Sequence, residues 1–194
     1  AVMADYENLV TSHPENREFK VTLAKLYVQV GKAKEAENVL FTLIESEPNN
    51  VQSKTLVLDF LSATSVDRVD QQFQKFADFH KAQPRALLEL ANWMIARRNF
   101  EAAKPALNQV IELEEDSLVG LSAKILLAKM EFESKNFDAA SKIVAEVLDA
   151  NPNYDDAKIL EARLFLIKED YEAAIALLNR VIWSKEGSEE ANLL

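Results

Sequence analysis

Two histidines, no cysteine and scattered carboxylates are the only side chains from which this chain could build catalysis or a metal site. His13 and His80 lie too far apart for a helical metal pair, and no Ser, Asp or Glu pattern beside His80 reads as a triad around a general base. The absence of cysteine removes thiolate nucleophiles, disulfides and Cys-based zinc sites. Glu112, Glu114, Glu115 and Asp116 crowd together but lack the glycine-spaced oxygen ligands of a calcium loop, so they read as a solvated helix end. Gly31, Gly120 and Gly187 stand singly, which leaves no glycine-rich loop for phosphate, and Trp93 and Trp183 sit in apolar helical registers that suit packing. The expectation is a chain that is not an enzyme and that needs no cofactor or metal.

The net charge of −10, from 22 basic and 32 acidic residues, repels phosphate backbones, and no basic stripe offsets it. Nucleic acid is excluded as the expected partner. With 48% hydrophobic residues, 28% charged residues, 3 Gly and 5 Pro, the composition is that of a folded, helix-dominated protein. No run of about 18 apolar residues appears, so no direct membrane insertion is expected. The chain starts at Ala1-Val2-Met3 inside a helical pattern and stops at Glu189 to Leu194, which resembles the first turns of another repeat. It reads as an excised segment, its compartment open between cytoplasm and bacterial cell envelope or periplasm.

The elements that position these side chains are repeats. Phe100-Glu-Ala-Ala103, Phe137-Asp-Ala-Ala140 and Tyr171-Glu-Ala-Ala174 are one phrase written three times, the last two 34 residues apart, and Pro14 to Pro48 is again 34 residues. A unit of that length is a helix, a turn and a second helix, which buries its apolar face only by stacking on copies of itself. The register predicts a half repeat over 1–13, repeats over 14–48, 49–84, 85–117, 118–152 and 153–187, and the start of a further repeat over 188–194. The second repeat is degenerate. Ser62-Ala63-Thr64-Ser65 replaces the glycine turn of Gly31, and Pro84 comes 36 residues after Pro48, so two residues are added near the turn. From Ala103 to Ala140 is 37 residues, which places three extra residues between Glu112 and Gly120. Phe73, Phe76 and Phe79 put three rings along one side of a helix, where they can be buried. Asn99, Asn136 and Asp170 precede the repeated phrases and can cap their helices. The small residues Ala24, Ala91, Ala128 and Ala162 in first helices, and Ala36, Ala103, Ala140 and Ala174 in second helices, mark close helix approaches.

Leu23-Ala24, Leu90-Ala91, Tyr27, Gly31, Ala36 and Pro48 stand at the offsets of a tetratricopeptide repeat, and the chain resembles that family over its whole length. Departures are the tryptophan slot, held by Lys20, Lys54 and Leu87 in the first three repeats, and Glu131 at an aromatic position. Lys135 one turn on is the expected partner of Glu131, or Phe132 takes over the packing. The resemblance implies an all-α fold, a right-handed alpha-alpha superhelix (a solenoid of antiparallel helix pairs) whose first helices line a concave groove that holds a peptide or partner helix.

Carried onto this sequence, the groove-facing positions of the first helices are Lys25, Asp59, Asn92, Lys129 and Arg163, with Val28, Ser62, Ile95, Phe132 and Leu166 one turn on. A further column reads Val21, Thr55, Leu88, Ile125 and Ile159. If these face an open groove, the expected partner brings apolar anchors and an acidic group for Lys129 and Arg163. If the helices are rotated, Ile95, Phe132 and Leu166 are ordinary core, and Lys129 and Arg163 are solvated or paired with acids such as Glu133. Val21, Leu88 and Ile125 stand where the family's carboxylate-clamping members carry a lysine, so that activity is not expected. The reading is a non-catalytic protein-interaction scaffold. Its alternative is a self-associating structural module that positions an enzyme or membrane-anchored part of a larger protein.

Overall fold

The computed structural model describes residues 2–191, with side chains described through residue 182. Expectations for Trp183, Gly187 and residues 188–194 therefore lie outside the described side chains. Among the described residues the chain is eleven α-helices joined by short links, with no strand, the all-α arrangement of stacked helix pairs that the repeats predict. It divides into two compact units, Ala1–Lys81 and Ala82–Leu194.

Unit 1 contains α1 (Val2–Ser12), α2 (Arg17–Gln29), α3 (Ala33–Ser46), α4 (Val51–Thr64) and α5 (Val69–Phe79), each packed on the next. Asn16 and Asn50 begin α2 and α4 by accepting hydrogen bonds from the amides of Phe19 (3.1 Å) and Ser53 (3.3 Å). The core of the first hairpin is Leu23, Ala24, Tyr27, Ala36, Leu40 and Leu43, all buried. The Tyr27 hydroxyl donates to Glu7 at 2.8 Å, tying α2 to α1, and burial together with that carboxylate pushes the phenol up to about 12. In the second hairpin a short 3-10 turn, Val66–Arg68, absorbs the added residues between α4 and α5. Arg68 makes a two-pronged pair back to Glu37 of α3 (3.0 and 2.5 Å), which holds that carboxyl below its usual range.

The phenylalanine stripe splits. Phe73 and Phe76 are buried, but Phe79 is 52% exposed. A step of three residues turns a helix by about 300°, so rings three apart drift by about 60° each and the third leaves the core.

Unit 2 contains α6 (Pro84–Ala96), α7 (Phe100–Glu114), α8 (Leu118–Glu133), α9 (Phe137–Ala150), α10 (Asp155–Ile167) and α11 (Tyr171–Ala191). Here each helix packs on the next, and α8 also touches α6 and α10. The three extra residues lengthen helices rather than a loop, since α7 has 15 residues and α8 has 16. Asn99 and Asp170 cap their helices through the amides of Ala102 (3.3 Å) and Ala173 (3.1 Å). Asn136 does not; its side chain donates instead to Glu131 at 2.8 Å. Ser117 starts α8 by accepting from Val119 and Gly120, and an added Cβ on Gly120 would lie 1.8 Å from the Glu114 carbonyl oxygen.

One turn geometry closes four hairpins. At Gly31, Arg98, Lys135 and Glu169 the backbone is left-handed (φ 77, 59, 64 and 61°). The next amide reaches back five residues, as in Lys32 to the Tyr27 carbonyl (2.8 Å) and Asn136 to that of Glu131 (2.8 Å). Three of the four positions accept this conformation without glycine, so the same turn has no single sequence signature.

The tryptophan slot is filled by lysine stems. Lys20 is buried, and its ammonium donates to the Thr42 carbonyl (3.2 Å) and to Ser46 (3.0 Å), at the negative end of α3. Lys54 is buried with its ammonium on the Pro48 carbonyl and 4.5 Å from the Phe79 ring centre. Lys124 and Lys158 continue the slot in the fourth and fifth repeats, with side chains only 13% and 12% exposed, paired to Glu115 and Asp155. The long methylene stem packs where an indole would, and the charged tip finds oxygen.

Two outcomes are expected. Gly120→Ala should lower unfolding free energy by about 1–3 kcal/mol, read from the urea midpoint, because the extra carbon collides with backbone. Burial depresses the Lys54 ammonium below its ordinary value, so the folded state holds that proton less tightly than the unfolded chain does. Its cost is therefore present below the folded pKa and relieved as pH rises toward the unfolded value. Lys54→Met should raise the midpoint at neutral pH and remove that alkaline gain.

Candidate partner-binding surfaces

In unit 1 the first helices of successive hairpins, α2 and α4, do not bring any Cα pair within 8 Å. The gap is a groove of about 400 Å³ with Leu40 of α3 at its floor. Its walls are Val21, Ala24 and Val28 on one side and Leu56, Phe60 and Ala63 on the other. Alanine at Ala24 and Ala63 leaves the space that a larger side chain would fill. Val28 is 47% exposed, an apolar surface open to solvent, while Lys25 and Asp59 are exposed at the mouth. The structure thus gathers Lys25, Val28 and Asp59, three of the residues singled out from sequence, around one apolar slot.

In unit 2 the remaining candidates sit on α6, α8 and α10. Asn92 is exposed and Ile95 half-buried on α6; Lys129 and Phe132 are half-buried on α8; Arg163 and Leu166 are exposed on α10. Lys129 is spoken for, its ammonium donating to Asp156 at 2.9 Å. Glu133, the acid one turn along α8, is instead taken by Arg98 at 2.7 Å. The Arg163 guanidinium lies 4.4 Å from the Phe132 ring centre, and Phe132 meets Phe137 edge-on at 5.3 Å. Arg163 makes no ion pair among the described residues, so its donors stay available above an aromatic shelf. Of the further column, Ile125 is buried at 1% exposure within the core of α8, α9 and α10 and is not a groove wall. The longer α8 is covered there on both flanks. Ile159 is exposed, and Val21, Thr55 and Leu88 are half-buried.

Glu131 does not pair with Lys135, while Phe132 packs against the core of α8, α9 and α10. The Asn136 amide (2.8 Å) and Lys104 (3.3 Å) hold its carboxyl below the usual range, with the Asn136 hydrogen bond the larger cause. Lys135 has already left the helix in the left-handed turn, which breaks the one-turn geometry. His80 is buried against the Phe79 ring edge, and His13 lies beside Glu15 and Phe19 at the surface. In the carboxylate run, Glu114 accepts from Ser117 at 2.7 Å and Glu115 pairs with Lys124. Trp93 packs under Arg97, whose guanidinium is 3.6 Å from the ring centre. Among the described residues no group of three His, Cys, Asp or Glu could hold a metal ion, and no helix is long and apolar enough to cross a membrane.

Residues 1–57 and 131–193 match the family model described as Tetratricopeptide repeat, and residues 55–155 match the Tetratricopeptide repeat-like domain. The chain belongs to the tetratricopeptide repeat family, whose members are generally non-catalytic scaffolds for protein–protein contact. It is similar to lipopolysaccharide assembly protein B of Escherichia coli (strain K12), 24% identical over 172 residues, covering 85% of this chain. It spans 44% of the length of that curated relative. Among solved structures, yeast Tom70 superposes with a TM-score of 0.60 at 17% identity, over 92% of this chain and 38% of the other. YrrB, described as a TPR protein with an unusual peptide-binding site, gives 0.51 at 16% identity over 91% and 90%. MamA from Desulfovibrio magneticus RS-1 gives 0.56 at 14% identity over 88% and 95%. These likenesses establish the fold.

If Arg163 rests on Phe132 rather than serving the fold, Arg163→Ala should cost no more than about 1 kcal/mol of stability. Phe132→Ala should cost about 2 kcal/mol or more through lost packing. Chemical denaturation of both variants reads the difference.

Proposed function

We propose that this chain is a non-catalytic interaction segment that holds a peptide or partner helix on its first helices. The α2–α4 groove in unit 1 supports this reading most directly. It offers an apolar slot of about 400 Å³ with one cation and one anion at its mouth, the composition of a site that takes an apolar anchor and orients it by charge. In unit 2, Arg163 over Phe132 receives an acidic group, with Leu166 and Ile95 as apolar surface on neighbouring first helices; Asn92 adds a polar contact. Lys129 contributes less than its charge suggests, because binding an acid there requires displacing Asp156. The repeats that present these faces are assigned to 14–48, 49–84, 85–117, 118–152 and 153–187, with partial repeats at 1–13 and 188–194. The likeness to a lipopolysaccharide assembly protein supports a role as an adaptor in bacterial envelope assembly.

A displayed peptide library selected on the chain tests this. Enriched peptides should carry a large apolar residue near an acid and lose about tenfold or more in affinity to Ala63→Trp, which plugs the groove. Arg163→Glu should separately weaken the acid-dependent part. Peptides that bind both variants as well as the parent would defeat the reading.

A further inference from the structure

Along the first helices, the residue before the small-residue position belongs to the core: Leu23, Val57, Leu90 and Leu127 are 3%, 0%, 0% and 9% exposed. In α10 that slot, just before Ala162, holds Glu161. Glu161 is half-buried, and among the described residues it has neither a hydrogen bond nor an ion pair. A carboxylate in a leucine slot costs stability unless something compensates it. Burial accordingly pushes the Glu161 carboxyl up from its ordinary value. Beside it lies a pocket of about 260 Å³ between α10 and α11, lined by Phe165, Ala173, Ala176 and Leu177, with Arg180 as its other charged group. Arg180 is exposed and has no ion pair among the described residues, so the pocket holds one anion and one cation that do not satisfy each other.

We propose that this α10–α11 pocket binds a small zwitterion, an aliphatic α-amino acid, with Glu161 accepting from its ammonium and Arg180 donating to its carboxylate. Phe165 and Leu177 take the apolar side chain, and the alanines Ala173 and Ala176 leave the room. Each charge on the ligand meets its opposite, whereas a lone amine would meet Arg180 and a lone acid would meet Glu161. The volume is on the scale of one amino acid, not of a helix. The site is separate from the α2–α4 groove and does not depend on what that groove holds.

Titration of L-leucine into the isotope-labelled full chain, followed by amide NMR, reads the site. Saturable shifts should centre on Ala173, Ala176 and Leu177, and isopentylamine, 4-methylpentanoate and N-acetyl-leucinamide should each bind at least about tenfold more weakly. Glu161→Gln and Arg180→Gln should each lose about tenfold or more in affinity with helical content unchanged. Glu161→Leu restores the residue type of the other repeats, so it should abolish leucine binding while raising the melting temperature. Absence of saturable shifts at tens of millimolar leucine, equal binding of the neutral or singly charged probes, or undiminished binding to Glu161→Leu would overturn the proposal.

Discussion

Everything in this molecule depends on helices approaching one another closely at alanine. Ala24, Ala36, Ala91, Ala103, Ala128, Ala140, Ala162 and Ala174 are all 3% exposed or less, one per helix at matching positions in four hairpins. A methyl group there lets the larger side chains around it, such as Leu40, Leu107 and Val144, interlock at close range. An isolated hairpin of this kind cannot bury both faces of its helices, so burial is completed only by the next hairpin. The proposed function rests on what that seam leaves over: Val28 of α2 and Arg163 and Leu166 of α10 stay exposed outside the packed core.

Charge is handled locally throughout this acidic chain. Lysines in the tryptophan slot bury their stems and set their tips on carbonyl or carboxylate oxygen. Pairs such as Arg68 with Glu37, Arg98 with Glu133 and Lys129 with Asp156 bridge successive hairpins. Exposed pairs of this sort add little stability individually, but they fix which charges stay available. Arg163, parked on Phe132, is the clearest of these in unit 2, and Lys25 at the rim of the α2–α4 groove is the exposed cation in unit 1.

The fold was legible because its signals are periodic: alanine, the repeated phrase and the prolines recur with the repeat, and periodicity survives a degenerate unit. The surfaces were legible in part. Helical spacing placed Lys25 beside Val28, and adding the repeat period brought in Asp59, which lines the same slot. Ile125 fell on the core side instead, because exposure depends on how far the neighbouring helices extend and α8 is longer than the other first helices. Pairing was the least legible. Lys129 chose Asp156 over Glu133, and Glu131 chose Lys104 and Asn136 over Lys135, since long side chains reach across helices as readily as along them. The turns at Arg98, Lys135 and Glu169 carry no glycine and leave no mark in composition. Glu161 did leave a mark: a carboxylate in a column of Leu, Val, Leu and Leu is visible from alignment of the repeats alone.

The most direct measurement is amide hydrogen exchange on the chain with and without a saturating selected peptide. Protection should grow on α2 and α4, whose outward faces line the groove, with α3 and α5 unchanged on their solvent sides. Protection that instead appears on the second helices, or a peptide that binds without slowing exchange in α2 and α4, would contradict the account.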